Sequence, residues 1–290
     1  MITAKALTIF DILSWAIQEL QGGLVLGSQV EAEIIVGNAV GLSRAELYLN
    51  RQQAVAKPEL EFIEKAVADR TTGKPLQYIL GHQQFRHLDL VCWEGVLIPR
   101  PETELLAEKA LDELNTSGGF KNVLDIGCGT GAIAISIASE YRGASVYASD
   151  ISAKALLLTK ENARLADVLD RVVVVKADIF VGLEDIKGEL DMVVSNPPYI
   201  PSSDLSLLQR EVQFEPRVAL DGGEDGLDFY RAIIEDAPGY LRSGGVLLFE
   251  IGIEQTAQIA DLIKSTGQFA GIEVFKDYAG IERIIKVRRV

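Results

Sequence analysis

Cysteine and histidine are scarce in this sequence, which contains only Cys92, Cys128, His82 and His87. Two cysteines are too few for a disulfide framework, and their spacing does not match that of a zinc site. We interpret both histidines as ordinary polar residues near a turn, which disfavours a histidine-based triad or metal cluster. We therefore expect neither a bound metal nor a histidine-based catalytic group.

Long apolar runs, a secretory leader and an excess of basic residues are also missing. No run approaches the length of a membrane span, and residues 1–6 lack the charged region and cleavage site of a leader. The net charge is −14, and residues 101–290 contain 19 Lys and Arg against 31 Asp and Glu. Because affinity for phosphates comes mainly from Lys and Arg, we expect a cytoplasmic protein that binds neither membranes nor nucleic acid directly.

The composition is that of an ordinary globular protein, because 48% of the 290 residues are hydrophobic and 24% are charged. The sequence pattern predicts three parts. Residues 1–73 show apolar side chains at helical spacing, a Ser43–Glu46 capping box and a helix opened by Pro58, which predict a helical bundle for partner docking. Residues 74–100 alternate short β-rich runs, 77–80 and 88–91, with turns and predict a β-hairpin linker. Residues 101–290 predict the catalytic domain.

The third part alternates strands and helices from Lys121 onward, which is typical of a parallel sheet covered on both faces. We predict an α/β fold with a mostly parallel, seven-stranded sheet. The predicted strands are 122–126, 146–150, 172–176, 191–195, 246–251, 272–275 and 283–287. A turn at Ser243-Gly244-Gly245 is predicted just before the fifth of them. In such sheets ligands bind beyond the carboxyl ends of the strands, where the strand order reverses. We expect the first and fourth strands to flank this point.

A glycine-rich loop follows the first predicted strand. It reads Gly127-Cys128-Gly129-Thr130-Gly131 and leads into a helix. Glycines let the backbone approach a ligand closely, and the N-terminus of a helix offers free N–H groups. Asp150 ends the second strand about twenty residues later, a position from which a carboxylate accepts hydrogen bonds from ribose hydroxyls. The pattern favours a nucleotide-like ligand.

A rigid corner, Asn196-Pro197-Pro198-Tyr199, follows the fourth strand. The two prolines restrict the backbone and supply no N–H groups. The Asn196 carboxamide oxygen and the Pro197 carbonyl are two neighbouring acceptors, which suit the two hydrogens of an –NH2 group, and Tyr199 offers an aromatic face. We interpret this corner as the active site for a planar amine or amide, against the alternative of a simple tight turn.

Arg100 lies in a segment stiffened by Pro99 and Pro101, just before a predicted helix. Its guanidinium could bind a ligand carboxylate in the cofactor pocket or form an ordinary ion pair. Both interpretations stay open.

Together these motifs resemble the HemK/PrmC family of S-adenosylmethionine-dependent methyltransferases, which have a Rossmann-like fold. Further segments between about residue 70 and the C-terminus show the same resemblance. These segments are Gly73-Lys74-Pro75 with Tyr78, Gly81 and Phe85, then Ile98 to Glu104, Asn196 to Ile200, Leu220 to Leu227, and Asp277 to Arg283. The first seventy residues resemble the family only in their helical architecture.

The resemblance implies a reaction and a set of roles. The family methylates the side-chain amide of the glutamine in the Gly-Gly-Gln motif of peptide chain release factors. By position, the loop from Gly127 to Gly131 binds the cofactor, Asp150 contacts its ribose, and Asn196 contacts cofactor and acceptor. Ile179 takes a place beside the adenine where some members have tryptophan, which leaves a smaller contact surface. Asn196 and the Pro197 carbonyl hold the acceptor amide, and Pro198 and Tyr199 complete its site.

Three other functions use some of the same residues. A related methyltransferase modifies a glutamine of a ribosomal protein. An adenine amino-methyltransferase acting on nucleic acid could use the same corner, although the acidic charge disfavours it. A nicotinamide-dependent dehydrogenase could use the glycines and Asp150 but leaves Asn196 to Tyr199 unexplained. A non-enzymatic scaffold would need neither motif.

Overall fold

The computed structural model describes residues 7–119 and 121–290. Residues 1–6, on which the expectation of no leader depends, lie outside the described residues, as does residue 120. The chain forms two compact units. One unit consists of the residues up to Gly81 with the segment Gln209–Phe214, and the other of His82–Leu208 with Glu215–Val290. The limits of independently folding domains at 1–73, 74–100 and 101–290 stay predictions.

The first unit is helical, as the apolar periodicity predicts. Its helices are α1 (Ile9–Gly22), α2 (Ser28–Val40), α3 (Arg44–Leu49), α4 (Lys57–Thr71) and α5 (Leu76–Leu80). Ser43 and Glu46 form the predicted capping box at the start of α3, and Pro58 lies in the first turn of α4. Apolar side chains from α1 to α4 form one buried core.

The short helix α5 corrects one local expectation, because the run Gln77 to Leu80 was expected to be extended. Pro75 precedes this helix with a φ of −54°, and Gly81 ends it in the left-handed region at a φ of 84°. These two residues favour a single helical turn, and this local geometry outweighs the β-rich composition of the run.

The segment Gln209–Phe214 is held in the helical unit by the buried guanidinium of Arg70. Arg70 bonds both carboxylate oxygens of Glu31, at 2.5 and 3.0 Å, and also pairs with Glu211. Removing either acid would leave a buried charge only partly compensated, which is a costly arrangement.

The second unit begins with a hairpin, β1 (His82–Phe85) and β2 (Leu88–Val91), and continues into an α/β fold. The helices that follow are α6 (Pro101–Ser117), α7 (Ala132–Glu140), α8 (Ala153–Leu165), α9 (Asp228–Tyr240) and α10 (Thr256–Thr266). The strands are β3 (Lys121–Ile126), β4 (Ala144–Asp150), β5 (Val172–Lys176), β6 (Leu190–Ser195), β7 (Leu241–Glu250), β8 (Phe269–Lys276) and β9 (Glu282–Arg289).

These seven strands form one sheet in the order β5-β4-β3-β6-β7-β9-β8, and β9 alone runs antiparallel to its neighbours. The predicted mostly parallel, seven-stranded α/β fold is confirmed. Successive residues of β3 point to opposite faces: Val123 joins a core with α6, α7 and α8, and Leu124 joins a core with α9 and α10. Both faces of the sheet are therefore covered, which accounts for the apolar strands.

One predicted turn lies inside a strand. Ser243 to Gly245 were expected to form a turn before the fifth strand, but they belong to β7, whose pairing with β6 shifts between Leu241 and Val246. A bulge with Gly244 at a φ of 76° accommodates this shift. Among the described residues, no helix combines the length and apolar character needed to cross a bilayer.

Candidate active site

The candidate site lies where the strand order reverses. β3 is hydrogen-bonded to β4 on one side and to β6 on the other, so the loops that leave β3 and β6 emerge next to each other. A cavity of about 180 Å³ opens between these loops. The predicted convergence of the glycine loop and the Asn196 corner is confirmed.

Most of the residues predicted from the sequence line this cavity. The lining includes Arg100, Gly127, Cys128, Gly129, Thr130, Asp150, Ile179, Asn196, Pro197 and Pro198. Gly131 and Tyr199 are not part of the lining. The structure thus brings ten of the predicted residues to one cavity, and their individual roles stay predictions.

The glycines of the loop serve two different purposes. Gly127 and Gly129 lie in the left-handed region, at φ of 72° and 57°. A Cβ added at Gly127 would meet no atom within 4 Å, so it would project into the open cavity and take up ligand space. A Cβ at Gly131 would lie 2.7 Å from Ile135 and 2.9 Å from Thr159. Gly131 therefore does not line the cavity, and a glycine is needed there because a larger residue would collide with Ile135 and Thr159.

Asp150 connects the loop to the end of β4. Its Oδ2 accepts a hydrogen bond from the Gly129 N–H at 3.0 Å, and its Oδ1 accepts one from the Ser152 N–H at 2.8 Å. Burial raises the pKa of Asp150, and the backbone hydrogen bonds act in the opposite direction. The carboxylate is thus held rigidly at the cavity wall, where it can accept hydrogen bonds from ligand hydroxyls.

Cys128 is not a reactive thiol. It is buried, and its Sγ lies 3.3 Å from the Thr159 hydroxyl. Burial and the nearby carboxylates of Asp125 and Asp150 raise the pKa of Cys128 well above its usual value. Because the thiolate is the nucleophilic form, Cys128 contributes its shape and backbone to the loop rather than covalent chemistry.

Ile179 is held in an uncommon backbone conformation at the cavity wall. Its φ is +54°, inside a tight turn where Asp178 and Val181 exchange backbone hydrogen bonds at 3.1 and 2.8 Å. A positive φ is strained for a β-branched residue. The turn therefore places an aliphatic side chain, and the exposed carboxylate of Asp178, against the same ligand space.

The corner after β6 presents two acceptor oxygens. Asn196 donates a hydrogen bond from Nδ2 to Thr103 Oγ1 at 3.0 Å, and Pro197 is buried beside it. Within the part of the chain that the structure describes, no protein group donates a hydrogen bond to Asn196 Oδ1 or to the Pro197 carbonyl. Both residues line the cavity, so the corner has the acceptors that an –NH2 group requires.

Tyr199 points away from this lining. A Cβ on Gly252 would lie 3.1 Å from Tyr199 Cδ2, and the Tyr199 carbonyl accepts a hydrogen bond from Gln255 at 3.0 Å. Burial and the nearby Glu250 raise the pKa of Tyr199 to about 12. Tyr199 thus anchors the corner to the core, and its predicted packing on the acceptor stays a prediction.

Arg100 has a buried carboxylate as its partner. It pairs with Glu215, which also accepts a hydrogen bond from the Ile98 N–H at 3.0 Å. Glu215 is buried, so the pair is not an ordinary surface ion pair. The contact uses one guanidinium nitrogen, and Arg100 also lines the cavity, so its role towards a ligand stays a prediction.

Sequence reasoning missed two buried residues next to the corner, of which Thr103 also lines the cavity. Thr103 donates a hydrogen bond to Glu250 Oε2 at 2.6 Å, and both side chains are buried. From the sequence, Thr103 belongs to a helix start and to the segment Ile98 to Glu104 that resembles the family, and no role of its own is predicted for it. The one available signal for Glu250 was its position, an acidic residue directly after the apolar run Leu247 to Phe249.

Two family models match the chain. Residues 101–213 match the "Methyltransferase small domain", and residues 11–81 match the "PrmC N-terminal domain". The first match covers the glycine loop and the Asn196 corner, and the second covers the helical unit.

Full-length relatives are also found. A release factor glutamine methyltransferase of Moorella thermoacetica is 40% identical over 277 residues, which cover 96% of this chain and 97% of the relative. One of Geobacter sulfurreducens is 40% identical over 279 residues, covering 96% and 95%. A methyltransferase structure from Pyrococcus furiosus superposes with a TM-score of 0.52 at 18% identity, covering 70% of this chain and 89% of that one. This last likeness concerns the fold alone.

Proposed function

The chain belongs to the family of release factor glutamine methyltransferases, and from this we propose that it methylates the side-chain amide nitrogen of the glutamine in the Gly-Gly-Gln motif of peptide chain release factors. The single observation that best supports the proposal is the pair of acceptor oxygens at Asn196 and Pro197, which line the cavity next to the glycine loop. In this proposal the protein partner is a release factor, and the reaction takes place in the cytoplasm.

The cofactor we assign is S-adenosylmethionine, which supplies an electrophilic methyl group on a sulfonium. The residues present fit such a molecule. A Cβ at Gly127 would occupy ligand space, and the Asp150 carboxylate lies at the wall in a position to accept hydrogen bonds from two hydroxyls. Ile179 offers an aliphatic surface to a flat base. The neutral thiol of Cys128 does not compete for the methyl group.

The chemistry of the acceptor explains why oxygens, rather than a base, form the corner. The lone pair of an amide nitrogen is delocalised into the carbonyl, so the nitrogen is a weak nucleophile. Its proton is too weakly acidic for a side chain to remove beforehand. Asn196 Oδ1 and the Pro197 carbonyl can each accept one amide hydrogen, which raises the electron density on nitrogen and fixes its direction. The corner thus acts by positioning and polarisation.

Transfer of radiolabelled methyl groups tests the proposal. Purified protein is mixed with labelled S-adenosylmethionine and an unmodified release factor, and in parallel with the same factor whose Gly-Gly-Gln glutamine is changed to alanine. We expect label on the native factor alone. Label on neither factor would contradict the proposal, and the same assay with ribosomal proteins and then adenine-containing nucleic acid would follow.

Asn196→Ala separates chemistry from cofactor binding. We expect turnover to fall by at least about 100-fold, because one of the two polarising acceptors is lost. Cofactor affinity, measured by calorimetry, should change by less than about threefold, since the glycine loop and Asp150 are untouched. A variant with near-native turnover would remove Asn196 from the proposed role.

A further inference from the structure

Three side chains form a hydrogen-bonded chain that leads from the candidate acceptor site into the buried interior. Asn196 Nδ2 lies 3.0 Å from Thr103 Oγ1, and Thr103 Oγ1 lies 2.6 Å from Glu250 Oε2. Thr103 and Glu250 are 5% and 1% exposed, so solvent does not compete for these bonds. Thr103 comes from α6 and also lines the cavity, and Glu250 comes from the end of β7.

The chemistry of the three groups sets the direction of each bond. An ionised carboxylate only accepts hydrogen bonds, so the single hydroxyl proton of Thr103 is donated to Glu250. Thr103 Oγ1 can then only accept from Asn196. Of the two ends of the Asn196 carboxamide, only the nitrogen can donate. The nitrogen must therefore face Thr103, which leaves the oxygen free to accept from a ligand in the cavity.

The opposite orientation of the Asn196 carboxamide is unfavourable for both its oxygen and its nitrogen. With the carboxamide turned by 180°, Asn196 Oδ1 would face Thr103 Oγ1 with no proton between them. The Nδ2 hydrogens would then oppose the hydrogens of an incoming amide. Resting on the proposed function, we propose that Thr103 and Glu250 are positioning residues, which hold Asn196 with its oxygen towards the methyl acceptor.

The charge on Glu250 makes this orientation dependent on pH. Burial raises the pKa of Glu250 to about 7, while the Thr103 hydrogen bond and the charges of Arg283 and Arg100 lower it and Glu102 raises it. Tyr230 and Tyr199 also lie close enough to interact with its charge; burial raises the pKa of both further above its ordinary value, so neither titrates near neutral pH.

A protonated Glu250 has a hydrogen of its own to donate. It can give this hydrogen to Thr103 Oγ1, and Thr103 can then donate to Asn196 Oδ1, so both carboxamide orientations become possible. The fraction of correctly oriented Asn196 should therefore fall as the pH drops below about 7. We expect kcat to fall with it, without a matching change in cofactor affinity.

Four variants test the chain of bonds. Thr103→Val removes the hydroxyl at nearly constant volume, and Thr103→Ser restores it. Glu250→Gln keeps an acceptor but removes the titration. Tyr230→Phe is the matched control, because it deletes a buried hydroxyl that bonds the backbone carbonyl of the same glutamate at 2.9 Å and leaves its side chain alone.

Release factor methylation is the first measurement. For Thr103→Val we expect kcat to fall by about 10- to 100-fold with little change in cofactor affinity, because Asn196 and Glu250 lose their shared partner. Thr103→Ser and Tyr230→Phe should stay within about threefold of the original chain. The decrease of kcat below about pH 7 should be absent in Glu250→Gln. The proposal would be overturned by a Thr103→Val variant with unchanged kcat, or by the same decrease at acidic pH in Glu250→Gln.

Nitrogen-15 spectra give a readout that needs no acceptor. The Asn196 side-chain NH2 signals are identified by their absence in Asn196→Ala. One Nδ2 hydrogen should exchange slowly with water in the original chain and in Thr103→Ser, and quickly in Thr103→Val. Equal exchange in all of them would overturn the positioning role. If the signals respond as expected but no release factor is methylated, the proposed function is wrong and the bonding between Thr103 and Asn196 stands.

Discussion

Replacing Glu250 by glutamine should stabilise the protein at alkaline pH. Glu250 is 1% exposed, and burial raises its pKa from an ordinary value of 4.5 to about 7. A carboxyl whose pKa is raised by folding stabilises the folded state below its unfolded pKa. That stability is lost as the pH rises through the folded value. At pH 8 the folded chain therefore contains a buried charge that the unfolded chain would expose to water.

The size of the effect follows from the two pKa values. The difference between 4.5 and about 7, at about 1.4 kcal/mol per pH unit, corresponds to roughly 3 kcal/mol at pH 8 and to less than about 1 kcal/mol at pH 5. Glutamine is neutral at both pH values and keeps an oxygen that can accept from Thr103. Burial also raises the pKa of Asp125 to about 7, but this contribution is present in both proteins and cancels.

Thermal unfolding of the original chain and of Glu250→Gln at pH 5 and pH 8 measures the difference. For a unit of this size, roughly 3 kcal/mol corresponds to an increase in Tm of about 6–12 °C at pH 8 and much less at pH 5. Glu113→Gln is the control of opposite sign, since Arg288 and Lys286 lower the pKa of Glu113 and its replacement should destabilise the protein at pH 8. If Glu250→Gln shows no gain in Tm, or the same gain at both pH values, the buried charge of Glu250 does not destabilise the folded protein.

Three further substitutions test the cavity. Asp150→Asn should weaken cofactor binding, measured by calorimetry, about 10- to 100-fold, because a charged acceptor is lost. An unchanged affinity would argue against the ribose contact. Ile179→Gly should weaken cofactor binding several-fold by calorimetry, because the aliphatic surface at the cavity wall is lost; unchanged binding would remove Ile179 from the cofactor site. Gly226→Ala should abolish methyl transfer in the radiolabel assay, because its Cβ would collide with the Tyr199 carbonyl and displace the corner. Native turnover would show that the corner tolerates this displacement.

Features encoded within a few residues could be predicted from the sequence. The glycine loop, the double-proline corner, Asp150 at a strand end and the Ser43–Glu46 capping box each depend on neighbouring residues, and the structure places them as expected. The meeting of two loops was also predictable, because parallel strands point their carboxyl ends to one edge of the sheet.

Features that depend on distant contacts could not be predicted. Thr103 and Glu250 are 147 residues apart in sequence, and no local pattern shows that they bond. The packing of Tyr199 on the acceptor, expected from its aromatic face, stays a prediction, but the contacts that Tyr199 makes with the core could not be predicted. In the fold, contacts with Gly252 and Gln255 turn it towards the core. The extent of the helical unit, which includes Gln209–Phe214, likewise depends on a pairing between Arg70 and Glu211.

The variant Glu250→Gln tests both the positioning role of Glu250 and its effect on stability. A buried carboxylate is a costly way to accept one hydrogen bond, and glutamine could accept the same bond without the charge. What glutamine cannot do is exclude donation towards Thr103, because its amide end can turn and donate. The ionised form of Glu250 therefore gives up stability and gains a single orientation of Asn196. If this explanation is right, Glu250→Gln is more stable at pH 8 and less active there. A variant that gained stability without any loss of kcat would leave the charge of Glu250 with no function in this site.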